Sequence, residues 1–199
     1  MKARGARMAD DLNKDTLNAN DVIQCVIETT NEYIINIDDD VKSPNNYRHI
    51  IHALRSAKEE DKIRLIINTC GGYVDTAIQL IEYIWKCKAT VIAEIYQASS
   101  AGSLISLACD EIQVSTFGYM MIHSISGGDY GKIHERKASV EFTDKWCNKI
   151  CGDMYKGFLT VEELNHVLNG KDYYFHKAEI DKRLKKWKPH KSKKSCLQK

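Results

Sequence analysis

Four serines stand inside one thirteen-residue stretch, "YQASSAGSLISLA" (96–108), among small and apolar neighbours. A serine hydroxyl at its ordinary pKa is a weak nucleophile. It attacks a carbonyl when a base removes its proton and fixed donors receive the developing negative charge. The chain offers candidates for both roles. His123 ends the apolar run "GYMMIHS" (118–124), and an imidazole titrates in the range a general base needs. Gly71 and Gly72 follow the apolar run "KIRLIIN" (62–68) and precede a helical pattern. Glycine permits a tight turn and close backbone approach, and amides near a helix start can hold an anion. Asp172, in "GKDYYF" (170–175), sits at the edge of an apolar run and can orient a histidine. Each residue is ordinary alone. A lone histidine is more often structural, and serines in a helix of small residues usually pack or bond back to the preceding turn.

Other chemistries find less support. The glycine pair lacks both G-x-G-x-x-G and G-K-S/T, so a nucleotide loop is not indicated. Seven cysteines form no C-x-x-C, and their number is odd. Reduced thiols in a cytosol-like compartment are expected, not a disulfide frame. Cys147 and Cys151 share a helix face downstream of His134, but a metal site needs more ligands at matched spacing. Neither a metal nor a cofactor is expected.

The elements that must position these groups alternate. "VIQCVIETT" (22–30) reads as a strand or a short arm, and "YIINI" (33–37) as a buried strand ended by Asp38–Asp40. Tyr47, Ile50, Ile51, Leu54 and Ala57 then recur at helical spacing. Strands follow at 62–68 and 89–96, each succeeded by a helix, and then two short strands at 111–114 and 118–124. Alternation of this kind implies crossovers and parallel pairing, with strands apolar on both faces under covering helices. From Gly131 the chain becomes long, charged and helical, with Phe142, Trp146, Ile150 and Met154 on one stripe. Such a helix can project from its own domain and pack on another subunit. Thr160 and Glu163 form a capping box for a helix at 159–168, and another helix begins near His176.

The 199 residues suit one domain with appendages, and 43% hydrophobic residues suffice for a core. Net charge is +2, so overall charge names no partner. Residues 182–199 carry nine Lys/Arg and no acid, which reads as a solvated, frayed basic tail able to touch an acidic surface; nucleic acid is not a favoured partner. No apolar run is long enough to span a membrane and no secretory leader is visible, so a cytoplasmic location is expected.

Four separated segments resemble the Clp protease proteolytic subunit family, a caseinolytic serine peptidase family on the crotonase-like fold. "INTCGG" (67–72) resembles its I-N-S-P-G-G, and "YQASSAGSLISLA" its G-x-A-x-S-M segment with the helix that follows. "MMIHSISGG" (120–128) resembles M-I-H-Q-P-x-G-G, and "KDYYFHKAE" (171–179) is similar to the stretch supplying the family's acid. The likeness spans roughly 32–180 in the correct order. It implies an α/β, crotonase-like core of repeated β-β-α units in a spiral, with a projecting helical handle. It implies five regions: an N-terminal arm or gate (1–31), a core head (32–130), a handle for oligomerisation (131–169), a core return carrying the acid (170–181) and the basic tail (182–199).

By the same resemblance Ser100 is the nucleophile, His123 the base and Asp172 the orienter. The oxyanion hole would be the amides of Gly71 and Ala101. Gly72 and the segment Ser124, Ile125, Ser126, Gly127 and Gly128 would pair with substrate backbone. The implied activity is serine endopeptidase cleavage of unfolded polypeptides in a chamber built from homo-oligomeric, heptameric rings, stacked in pairs and fed by an unfoldase ATPase. The sequence departs from the pattern at Cys70 (proline in the family), Tyr96 (glycine), Ala101 (methionine) and beyond Glu179, where lysines replace the closing strand. A catalytically silent subunit paired with an active homologue is the alternative those departures raise. An acyl-thioester enzyme on the same fold would need no Ser/His/Asp set. A membrane peptidase with a lysine base would need an anchor.

Overall fold

The computed structural model describes residues 30–127 and 132–190. Nearly all of the N-terminal arm, including all but Thr30 of the strand or arm expected over 22–30, lies outside the described residues, as do Gly128 and the tail from 191. Five strands form one sheet in chain order: β1 (Glu32–Ile37), β2 (Lys62–Thr69), β3 (Thr90–Ser99), β4 (Glu111–Ile122) and β5 (Tyr173–His176). The first four are parallel and β5 runs antiparallel to β4. Helices α1 (Arg48–Ser56), α2 (Val74–Lys86) and α3 (Ala101–Ala108) make the three crossovers that parallel neighbours require. A short 3₁₀ turn, Pro44–Tyr47, leads into α1.

The strands do not bury both faces. Ile63, Leu65 and Ile67 of β2 and Val91, Ala93 and Ile95 of β3 form the core under the helices. On the opposite face Arg64 bonds Glu32, Glu94 and the Gln113 side chain, and Ile34 is 65% exposed. A charged network of this kind keeps one face of the sheet open within the single chain, so the expectation of two covered faces is corrected.

The two short strands expected at 111–114 and 118–124 are one strand with an irregularity. Ile95 pairs with Val114 and Gln97 with Tyr119, so residues 115–118 of β4 stand against Tyr96 alone. Tyr96 is also skipped in the pairing with β2. Such bulges bend a strand and re-aim the residues beyond them. The residues re-aimed here are Ser99 and Ser100 at the end of β3 and Met121 to His123 at the end of β4.

Helix α4 (Ile133–Tyr155) is exposed over its first half and buried only toward its end, at Cys147, Cys151, Met154 and Tyr155. Phe142 remains 68% exposed. The capping box forms on α5 (Val161–Leu168), with Glu163 N–H donating to Thr160 Oγ1 and Thr160 N–H to Glu163. The start of the basic tail is not frayed. Helix α6 (Lys177–Leu184) carries Arg183 into a bidentate pair with Glu163 and over the Phe175 ring at 4.3 Å. Trp187 is buried, and His190 Nε2 donates to the Met154 carbonyl at 3.0 Å. Lys182, Lys185, Lys186 and Lys188 point outward, so the charge that suggested a solvated tail is one face of a packed segment.

Candidate active site

Strand β3 passes into helix α3 through a single residue, Ser100. Its φ of 53° makes it the one described non-glycine residue with positive φ. Holding a side chain there costs about 1–3 kcal/mol, and such strain clusters at functional turns. The turn is pinned from two sides. Ser100 N–H donates to the Met121 carbonyl at 2.9 Å, which ties it to β4. Gly71 packs so closely that a Cβ there would lie 2.6 Å from Ser100 Cβ and 2.9 Å from the Ser99 carbonyl oxygen. Two residues beyond Met121 stands His123, half-buried, with Nε2 2.7 Å from Ser100 Oγ. A neutral imidazole with Nε2 unprotonated accepts the hydroxyl proton in this pose.

The other serines are engaged elsewhere. Ser99 is buried. Ser103 Oγ donates to the Ser100 carbonyl at 2.7 Å and lies 2.9 Å from Tyr155 Oη. Ser106 Oγ bonds back to the Gly102 carbonyl at 2.8 Å. These are the packing and back-bonding roles of helical serines.

Asp172 is brought near His123 without being joined to it. The β4–β5 register ends on Ile122 opposite Tyr173, so the next residues outward, His123 and Asp172, face one another. Directly opposed residues hold their Cβ atoms about 5 Å apart. Asp172 is nevertheless exposed, and among the described residues no hydrogen bond or ion pair links its carboxylate to His123.

The two expected oxyanion donors differ. Ala101 is the first residue of α3, where a backbone N–H has no acceptor within the helix. Gly71, with φ 106°, donates its N–H to Thr69 Oγ1 at 3.0 Å. At Gly72 a parallel bridge to Val41 uses the Gly71 carbonyl and the Tyr73 amide. Gly72's own N–H and C=O therefore point away from Val41.

These groups line a cavity of about 650 Å³, with Leu104, Met121 and Ile125 as apolar wall and Asp40, Lys42 and Tyr73 toward the rim. Ser126 lines it too, whereas Ser124 and Gly127 line a second hollow of about 340 Å³ against α4. Ile125 borders both, so residues 124–127 run as a ridge between the two spaces. Cys70 is exposed in the main cavity and accepts from Gln97 Nε2 at 3.2 Å. Tyr96 is outside that cavity. Its hydroxyl donates to Glu94 at 3.0 Å, and it borders a separate hollow beside Phe117.

Burial pushes the Cys147 thiol up and the Cys151 thiol up to about 11, so neither has the character of a reactive thiolate. Among the described residues no three His, Cys, Asp or Glu side chains are grouped to hold a metal. No described helix is long and apolar enough to cross a membrane.

The family model described as Clp protease matches residues 17–156, well over half of the chain. The chain belongs to the Clp protease family. The matched span holds Gly71, Ser100 and His123 of this Clp protease family member and ends before Asp172. Its mixed α/β architecture, five strands and six helices among the described residues, agrees with that family's fold, and membership supports a peptidase role. No curated protein matches the sequence. Sequence reasoning missed Thr69 and Tyr155 as partners of the site. Thr69 lies inside the quoted "INTCGG", whereas nothing local to Tyr155 marks it, because its contact with Ser103 is made across 52 positions.

Proposed function

We propose that this family member is a serine endopeptidase with Ser100 as nucleophile, His123 as general base and Asp172 as the residue orienting His123. The observation that carries the reading is the 2.7 Å contact between Ser100 Oγ and His123 Nε2 at a strained strand-to-helix turn. Ser100 Oγ attacks the scissile carbonyl carbon as His123 Nε2 takes its proton. The carbonyl π electrons move to oxygen, which faces the amides of Ala101 and Gly71. The C–N bond then breaks, His123 gives its proton to the leaving amine, and water attacks the acyl-enzyme by the same route. Gly72 on one side and residues 124–127 on the other offer backbone to an extended peptide. Pairing of that kind reads main chain more than side chain and fits unfolded polypeptides as substrates.

The exposed Ile133, Val140 and Phe142 on α4 are apolar surface that the described chain does not cover. Ring formation between copies, with an unfoldase ATPase supplying substrate, gives that surface a use consistent with the family. The second reading, a silent subunit beside an active homologue, is favoured by the exposed Asp172 that makes no bond to His123.

A fluorophosphonate probe on the assembled protein separates them. Wild type and Ser99→Ala should label and Ser100→Ala and His123→Ala should not. Asp172→Asn should label and turn over on the order of 10⁴-fold more slowly. Labelling that survives Ser100→Ala refutes the nucleophile, and an unlabelled wild type leaves the silent-subunit reading.

A further inference from the structure

The second oxyanion donor is close to the nucleophile yet already committed. Gly71 N–H points back at Thr69 Oγ1, 3.0 Å away, while the Gly71 α-carbon rests against Ser100. Thr69 is 2% exposed and its side chain is held by shape. Its Cγ2 fits over Gly102 at the start of α3, so closely that a Cβ on Gly102 would lie 2.7 Å from it. With the methyl seated on α3 and χ1 of a β-branched residue stiff, Oγ1 is left facing Gly71. The carbonyl of Gly71 is held mainly by Val41 N–H at 2.7 Å, and at 3.5 Å it also accepts from the Thr69 hydroxyl. Turning the Cys70–Gly71 peptide therefore needs rotation about Gly71 φ, which glycine permits, and about Cys70 ψ.

We infer that the Thr69 hydroxyl is a latch on the oxyanion hole. It occupies Gly71 N–H in the resting enzyme and gives it up as negative charge forms on the substrate oxygen. Thr69 touches no substrate and is a positioning residue. The inference rests on the Ser100 reading above and adds a barrier to it, the exchange of one hydrogen bond for another during each turnover.

The variants are Thr69→Val, which keeps the seated methyl and removes the acceptor, and Thr69→Ser, which keeps the acceptor. A net hydrogen bond corresponds to about a 3- to 10-fold change in rate. Thr69→Val should raise kcat for a short fluorogenic peptide by that factor with KM moving less than twofold. It should tighten a peptide boronate, whose Ser100 adduct mimics the tetrahedral state, by the same factor. Gly71 amide exchange should quicken more in Thr69→Val than in Thr69→Ser, and kcat of Thr69→Ser, which keeps the acceptor but loses the seated methyl, should fall between wild type and Thr69→Val. Unchanged or lowered kcat and boronate affinity in an assembled, folded Thr69→Val protein overturns the latch alone. A wild type that the fluorophosphonate fails to label removes the Ser100 reading and the latch with it.

Discussion

The hydrogen-bond chain behind Ser100 has a direction that can be worked out and tested. Ser103 has one hydroxyl proton, and the Ser100 carbonyl 2.7 Å away can only accept. Tyr155 Oη, 2.9 Å from Ser103 Oγ, is therefore the donor to Ser103. Tyr155 is 1% exposed, and burial pushes its phenol far above the ordinary value, so it stays protonated and can donate. Ser103→Ala leaves a buried O–H without an acceptor, at a cost of about 1–3 kcal/mol. Tyr155→Phe costs less, about 1 kcal/mol, because Ser103 still donates to Ser100. The Ser100 carbonyl remains satisfied in both, since it also accepts from the amides of Ser103 and Leu104. In the double variant no polar group is orphaned, so its cost should fall below the sum of the singles by about 1–2 kcal/mol. Urea unfolding of the four proteins measures this coupling. For a chain of this size it appears in melting temperature as about 2–4 °C per kcal/mol. Costs that add within about 0.5 kcal/mol would refute the chain and with it the link from the end of α4 to the Ser100 turn.

Three other substitutions, one of them read against pH, test the remaining framework. The Arg183 guanidinium, hydrogen-bonded to Glu163, holds that carboxyl down to about 2. A depressed carboxyl stabilises the fold fully above its unfolded value near 4.5 and loses that contribution as pH falls toward 2. Glu163→Gln should therefore lower stability by about 1.5–3 kcal/mol at neutral pH and flatten the acid limb of urea midpoints against pH. An unchanged acid limb would refute the pair's contribution. Gly71→Ala places a Cβ 2.6 Å from Ser100 Cβ at φ 106° and should cost about 2–5 kcal/mol and abolish fluorophosphonate labelling. Normal labelling would show that the turn yields. Tyr96→Phe removes only the bond to Glu94, outside the cavity, and should change the labelling rate less than twofold.

Features with a local signature were legible in the sequence. The Thr160–Glu163 box and the strand–helix alternation both depend on residues a few positions apart, and both appear in the structure. Ser100 is singled out by the family resemblance and not by a local signature, since small and apolar residues flank all four serines alike; its positive φ is seen only in the structure. Tyr96 illustrates the opposite case. As a departure from the family's glycine it counts toward the silent-subunit alternative, but the bulge in β3 directs it to Glu94 and away from the cavity. A one-residue shift of register reverses which face a side chain occupies, and no local pattern announces it. The basic run that starts at Lys182 failed for a related reason. Its four described lysines are solvent-facing as charge predicts, yet Arg183, Trp187 and His190 are not, because Glu163 and Phe175 hold Arg183, the Met154 carbonyl holds His190, and Trp187 packs in the core.

That failure bears on the candidate acid. The proposed nucleophile and base, Ser100 and His123, lie inside the family match at the ends of β3 and β4, where the sheet and the Ser100–Met121 bond fix their approach. Asp172 lies beyond it, immediately before β5, a strand of four residues that pairs only with β4. Strand β5 is held in turn by Arg183 stacked on Phe175, by Glu163 on α5 and by Lys177 Nζ on the Val114 carbonyl. The segment whose sequence departs most from the family thus sets how far Asp172 stands from His123. A shift of β5 by one register step would carry Asp172 to the other face of the sheet, whereas a turn of its side chain keeps it opposite His123. Loosening Arg183 should consequently reach Ser100 through Asp172 and the imidazole, leaving the strained turn itself unchanged.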